Sequence, residues 1–223
     1  KHESARIHAE LGSGYYQQNQ MAIALEEFTK SIEFDPGYSS GFNGLAMTYA
    51  AIKEDAKAEA NFKKSIALDA KNSEAHNNYG SFLCSRNRID DSIVQFQEAA
   101  NNPLYVTPFI AFTNAGYCSL KKSDINSAER FYSLALQYQP LLHNTAYQLA
   151  KIYFERGDLA QARRHILVAV QSEKVVIEDL MMAIHIERKL GDRAAEKSLV
   201  SKLKRLYPDA PKAAGYFGGE LDE

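Results

Sequence analysis

Six histidines, two cysteines and pairs of adjacent carboxylates such as Glu26–Glu27 and Asp90–Asp91 are the side chains of this sequence best suited to chemistry. Metal ligation would require His2, His8, His76, His143, His165 or His185 to recur at ligand spacing. No HExxH pair occurs and no CxxC accompanies them, which argues against zinc. His8 and His76 occupy the fourth position of a repeat described below, where an aromatic normally packs, so both read as packing residues. Cys84 with a distant histidine would form a nucleophile–base pair, but nothing in the pattern builds a pocket around it. Glu26–Glu27 and Asp90–Asp91 are sequence neighbours, which on a helix point about 100° apart, so they read as solvated charge. Neither a GxGxxG nor a GxxxxGK[ST] phosphate cradle is present. These residues predict a protein that is not an enzyme and takes no cofactor or metal.

Composition narrows the class. Basic and acidic residues number 26 and 28, for a formal charge of -2, which argues against binding nucleic acid through phosphate neutralisation. With 45% apolar and 24% charged residues, a chain of 223 residues can build a substantial core. Two cysteines are too few for a Cys-rich zinc site or a disulfide-dense miniprotein. The most apolar stretch, around Val175 to Ile186, is interrupted by Glu178, Asp179 and His185 and falls short of the ~18 residues of a membrane span. The sequence opens at Lys1 without an initiator Met or a signal peptide. Any targeting segment is therefore expected to have been removed or to lie outside this sequence.

The elements that position these residues come from an internal repeat. A bulky apolar residue followed by a small one recurs as Phe28/Ser31, Phe62/Ser65, Phe96/Ala99, Tyr132/Ala135 and Ile166/Ala169, at spacings of 34, 34, 36 and 34. Four residues before each bulky residue stands Ala24, Ala58, Ser92, Ala128 or Ala162. A second small position is filled by Gly12, Ala46, Gly80, Gly116 and Ala150. Small residues let two helices cross closely, and the large one fills the space beside the crossing. Pro36 and Pro140 close repeats one and four, since proline lacks an amide donor and disfavours helix before it. Polar or glycine punctuation marks the intervening turns at Gln18-Asn19-Gln20, Arg86-Asn87-Arg88, Lys122-Ser123-Asp124 and Arg156-Gly157-Asp158.

This is the tetratricopeptide pattern. It predicts an all-α, monomeric α-solenoid superhelix forming one domain over 1–223. The repeats fall at 5–38, 39–72, 73–106, 109–142, 143–176 and 177–210, with a loose tail at 211–223 containing Gly215, Gly218 and Gly219. The sixth repeat keeps Gly191 and Pro208 but puts Ile184, Glu196 and Leu203 at small positions, as a capping repeat would. Lys and Arg between Arg188 and Arg205 read as a solvated last helix, with a basic docking face as the alternative. A two-residue insertion around Thr107 and Pro108 lengthens the connector between repeats three and four. That connector is a spacer, or a contact loop using Tyr105 and Phe109.

What remains is a binding surface. The first helix of each repeat, helix A, presents positions 2, 5, 9 and 12 on one stripe of a stacked array. The candidate partner-binding groove is Tyr16, Asn43, Met47, Asn77, Ser81, Thr113, Tyr117, Tyr147 and Phe154. It lacks the Lys and Arg with which chaperone-binding tetratricopeptide domains clamp a terminal carboxylate. Its asparagines suit a peptide backbone and its aromatics suit apolar side chains. Packing of those aromatics into the core is the competing reading.

NNYGSFLC (Asn77 to Cys84), NPLY (Asn102 to Tyr105), NAGYC (Asn114 to Cys118) and AERFYSLALQYQP (Ala128 to Pro140) resemble the PilF/PilW group of type IV pilus biogenesis lipoproteins. The repeat pattern covers nearly the whole chain, and these motifs cover repeats three and four. The resemblance implies a protein on the periplasmic face of the outer membrane, held by a lipidated N-terminal Cys. It also implies a role in assembly or localisation of the pilus secretin, so that the partner is the secretin or another pilus-assembly protein. No lipidation Cys precedes Lys1, so the anchor is absent from this sequence and rests on the resemblance. A cytosolic tetratricopeptide adaptor or co-chaperone is the alternative, weakened by the missing carboxylate clamp. Cys84 and Cys118 stand at positions 12 and 10 of successive A helices, one on each flank. Depending on which flank faces the following repeat, the thiols meet or point apart. The oxidising periplasm implied by the resemblance tips the expectation to a disulfide.

Overall fold

The computed structural model describes residues 1–217, and every regular element in them is helical. The first three repeats hold α1 (His2–Gln17) and α2 (Met21–Phe34), α3 (Ser39–Ala51) and α4 (Asp55–Leu68), and α5 (Ser73–Ser85) and α6 (Ile89–Asn101). The next three hold α7 (Pro108–Lys121) and α8 (Ile125–Tyr138), α9 (His143–Glu155) and α10 (Leu159–Val170), and α11 (Ile177–Leu190) and α12 (Arg193–Leu206). The chain divides into two compact units, Lys1–Asp124 and the residues from Ile125 onward, with the boundary between α7 and α8.

In the first unit the recurring large residues are the core. Phe28, Phe62 and Phe96 are buried, beside Ala24, Ala58 and Ser92, which are fully so. The glycines and alanines of the second small position make room for these rings. A Cβ on Gly12 would stand 2.9 Å from the Phe28 ring, and one on Gly80 2.8 Å from that of Phe96. Tyr132 and Ile166 fill the same role in the second unit. The small residue after the ring also carries a bond: Ser31 Oγ donates to the Ala5 carbonyl at 2.7 Å, and Ser65 Oγ to the Ser39 carbonyl at 2.9 Å. Each ties the second helix of a repeat, helix B, to the start of helix A.

Every turn from helix A to helix B passes through one left-handed residue at the same repeat position: Asn19, Lys53, Asn87, Ser123, Gly157 and Gly191, with φ from 59° to 81°. Returning turns are closed by side chains. Asp35 accepts the Gly37 amide and Asp69 the Lys71 amide, each at 2.9 Å, beside the backbone bonds from Tyr38 to Asp35 and from Asn72 to Asp69.

The expected loose tail is corrected at residues 211–217. Pro211–Ala213 forms a 3-10 turn that leads into α13 (Ala214–Phe217). Ala213 is fully buried, and the Tyr216 hydroxyl shares a 2.8 Å hydrogen bond with His185 Nε2. The physical reason is in the sixth repeat. Ile184 and Leu203, apolar where other repeats are small, are fully buried in a cluster that includes Ala213, with Tyr207 and Tyr216 packed on it. Gly218, Gly219 and the rest of that expected tail lie outside the described residues.

Candidate functional site

Helices α1, α3 and α5 bring five of the expected groove residues, Tyr16, Asn43, Met47, Asn77 and Ser81, to three clefts. Tyr16, Asn43 and Met47 line one of about 600 Å³ with Ser13, Ser40 and Glu74. Ser81 joins Tyr16 and Met47 at a smaller one of about 220 Å³. Its hydroxyl, however, donates to the Asn77 carbonyl at 3.0 Å, back onto its own helix. Asn77 lines a third cleft, of about 650 Å³, with Ile110 and the connector before α7. On α7, Thr113 is half-buried and Tyr117 is 60% exposed. In the second unit Tyr147 and Phe154 are half-buried and pack against the cluster around Ile166 and Ile184. Lys189 Nζ lies 4.9 Å from the Phe154 ring centroid. Burial, with Asp179 and Glu178 nearby, pushes the Tyr147 phenol above its ordinary pKa.

The two groove asparagines are nearly closed off, at 5% and 8% exposure for Asn43 and Asn77. Their partners escaped the sequence reading. Asn78 Nδ2 donates to Asn43 Oδ1 at 3.4 Å and to Met47 Sδ at 3.1 Å, and Asn114 Nδ2 donates to Asn77 Oδ1 at 3.0 Å. In both pairs, position 5 of one repeat accepts from position 6 of the next. Asn78 and Asn114 lie inside NNYG and NAGYC, so the signal was present. The 2-5-9-12 stripe simply passed one residue to the side of it.

In the connector, Leu104 and Val106 are 82% and 88% exposed, while Tyr105 and Phe109 are half-buried. Asn102 sets this orientation. Its Oδ1 accepts the Leu104 amide at 3.0 Å and its Nδ2 donates to the Lys71 carbonyl at 2.8 Å, anchoring the turn on the preceding repeat.

Cys84 and Cys118 are bonded as a disulfide, with Cα atoms 6.0 Å apart. Position 12 of α5 therefore faces position 10 of α7, and no thiolate is available at Cys84. The Lys121 ammonium adds a 2.9 Å bond to the Cys84 carbonyl across the same contact. The histidines are engaged by packing. His8 Nδ1 pairs with Glu27 at 2.7 Å and its ring stacks on Phe34, while His76 is buried against Gln95 Oε1 and the Ala70 carbonyl.

Two of the large pKa shifts, at Glu59 and Tyr79, lie in a strap between repeats. Glu59 accepts from Lys63, from Arg88 at 3.0 Å and from the Tyr79 hydroxyl at 2.9 Å, and these bonds hold its carboxyl down at about 2 against partial burial. Burial first, then Glu59, lifts Tyr79 to about 12. Glu129 repeats the device in the second unit, accepting from Tyr153 at 2.7 Å and from Arg156. Glu59 and Glu129 share one position of the repeat, so these perturbed groups read as structural.

No family model matches the chain. The type IV pilus assembly protein PilF of Pseudomonas aeruginosa is 26% identical over 206 residues, 92% of this chain and 82% of that protein. An uncharacterized protein of Haemophilus influenzae is 31% identical over 124 residues, 55% of this chain and 69% of its own length. The solved structure of Pseudomonas aeruginosa PilF matches with a TM-score of 0.81 at 25% identity, covering 96% of this chain and 97% of that one. The chain belongs to the PilF/PilW-like tetratricopeptide proteins. PilW, a widely conserved type IV pilus biogenesis factor, matches with a TM-score of 0.73 at 26% identity over 96% of this chain and 98% of its own.

Proposed function

We propose that this protein is a non-catalytic scaffold of type IV pilus biogenesis that works in the periplasm and assists assembly, outer-membrane localisation or stability of the pilus secretin. The likeness to PilF over nearly the full length of both chains carries this reading. The clefts support it, because they present amide, hydroxyl and aromatic groups, which recognise a polypeptide without reacting with it. The Cys84–Cys118 bond suits an oxidising compartment. Attachment to the outer membrane follows from the family resemblance, through a lipid on a cysteine upstream of Lys1. The groove asparagines and Tyr117 then face a segment of the secretin or of another pilus-assembly protein.

Deleting the gene and following the secretin on gels that preserve its multimers tests the reading. Loss or mislocalisation of multimers, with monomer still made, is the expected result. Secretin multimers unchanged in amount and membrane fraction would overturn it. Fractionation of the protein to the cytosol would instead favour an adaptor role.

A further inference from the structure

Resting on that reading of the protein as a polypeptide-binding scaffold, we infer that the cleft between α1 and α3 receives an arginine or lysine side chain of an extended partner segment. The residues lining the cleft include two carboxylates, Glu10 and Glu74, and no lysine or arginine. Arg6 holds Glu10 at 2.5 Å. Glu74, at the rim, has no hydrogen-bond or ion-pair partner among the described residues, and it lines the neighbouring cleft as well. Tyr16 and Tyr38 supply aromatic walls for a cation, and Met47 supplies an apolar surface for the methylene stem behind it.

A second observation points to a peptide backbone. Asn43 is 95% buried by its 5% exposure and lines the same cleft. Its single described hydrogen bond is the long one that Oδ1 accepts from Asn78, so Nδ2 donates to nothing among the described residues. A carbonyl of the incoming segment is the acceptor it lacks. Gly14 adds a third. It sits inside α1 and lines the cleft, yet a Cβ there would meet nothing within 4 Å. Glycine weakens a helix interior, and here packing does not demand it. Bare backbone leaves room for a chain lying against α1. The polarity is the reverse of a carboxylate clamp: a carboxylate and two tyrosines waiting for a cation.

Capped octapeptides that differ only in a central Arg, Lys, Gln or Glu, in a Ser/Val background, can be titrated against the full chain by fluorescence anisotropy. Arg and Lys peptides should bind at least tenfold tighter than Gln, Glu weakest, and the preference should shrink in high salt. Glu74→Gln should bring the Arg peptide down to the Gln level. Gly14→Leu should reduce binding of all four without lowering the melting temperature. Equal binding of Arg and Gln peptides, no binding of any, or a preference that survives Glu74→Gln would overturn the inference. If Gly14→Leu fails to fold, Glu74→Gln decides alone. Secretin multimers that need the protein but ignore Glu74→Gln would sink this inference and leave the proposed function standing. Multimers indifferent to gene deletion, with the Arg preference measured, would do the converse.

Discussion

Gly80 has no side chain because Phe96 occupies the space that one would need. A single Cβ would come within 2.8 Å of that ring, and the ring is 1% exposed with nowhere to retreat. Gly80→Leu should therefore wedge α5 from α6 and cost ~1–3 kcal/mol or more, read from chemical denaturation. A loss under 0.5 kcal/mol would mean that the ring can move. Glu59 offers a residue-scale test in acid. Its folded pKa, about 2, lies below the ordinary 4.5, so the folded state favours the charged carboxylate. That contribution is complete above about 4.5 and is lost as pH falls toward about 2. Glu59→Gln should lower stability at neutral pH and flatten the decline between those two values. An unchanged acid limb would show that the strap carries no weight.

At the scale of elements, the helices are set by the size pattern and the turns by one left-handed residue each. Asparagine and glycine accept that conformation, as at Asn19, Asn87, Gly157 and Gly191. Lys53 does not accept it readily, yet it takes φ 66° because the ends of α3 and α4 leave no other closure. Lys53 makes no described ion pair, so Lys53→Gly removes strain without removing a contact and should stabilise by ~0.5–1 kcal/mol. A thermal scan checks the sign, and a fall in melting temperature would show that the backbone freedom of glycine outweighs the strain. This turn is also the one between the first and last repeats that no polar or glycine triplet announced. The connector after α6 shows a similar gap. Its length was legible as an insertion, but only the Asn102 side chain, bonded to the preceding repeat, turns Leu104 and Val106 outward.

For the molecule as a whole, the disulfide is the longest covalent constraint, joining residues 34 apart across α5 and α7. The closed loop should add ~3–4 kcal/mol on the chain-entropy model. Thiol titration of the denatured, unreduced protein should find no free thiol, and reduction should lower the denaturation midpoint. Two thiols per chain would remove both the staple and its support for an oxidising compartment. The net charge is -2, and among the described residues no helix is long and apolar enough to cross a membrane.

By itself the sequence determined the helical class, the repeat period, and which residues fill the core. Those follow from residue size recurring at a fixed interval. A ring at Phe28, Phe62 or Phe96 needs a small neighbour within its own repeat or the next, and that complementarity is written in residue types. Tertiary structure alone decided which polar groups meet across repeats. Asn43 with Asn78, Asn77 with Asn114, and Glu59 with Tyr79 and Arg88 depend on how far one helix is rotated and shifted against the next. Helical periodicity places a side chain on a stripe to within about one residue, or 100°. A hydrogen bond tolerates a few tenths of an ångström. That difference in precision is why the helix pairing was legible in the sequence, whereas the exposure of Tyr117, the closure of Asn77 and a Glu74 shared by two clefts and unpaired among the described residues emerged only once the helices were packed.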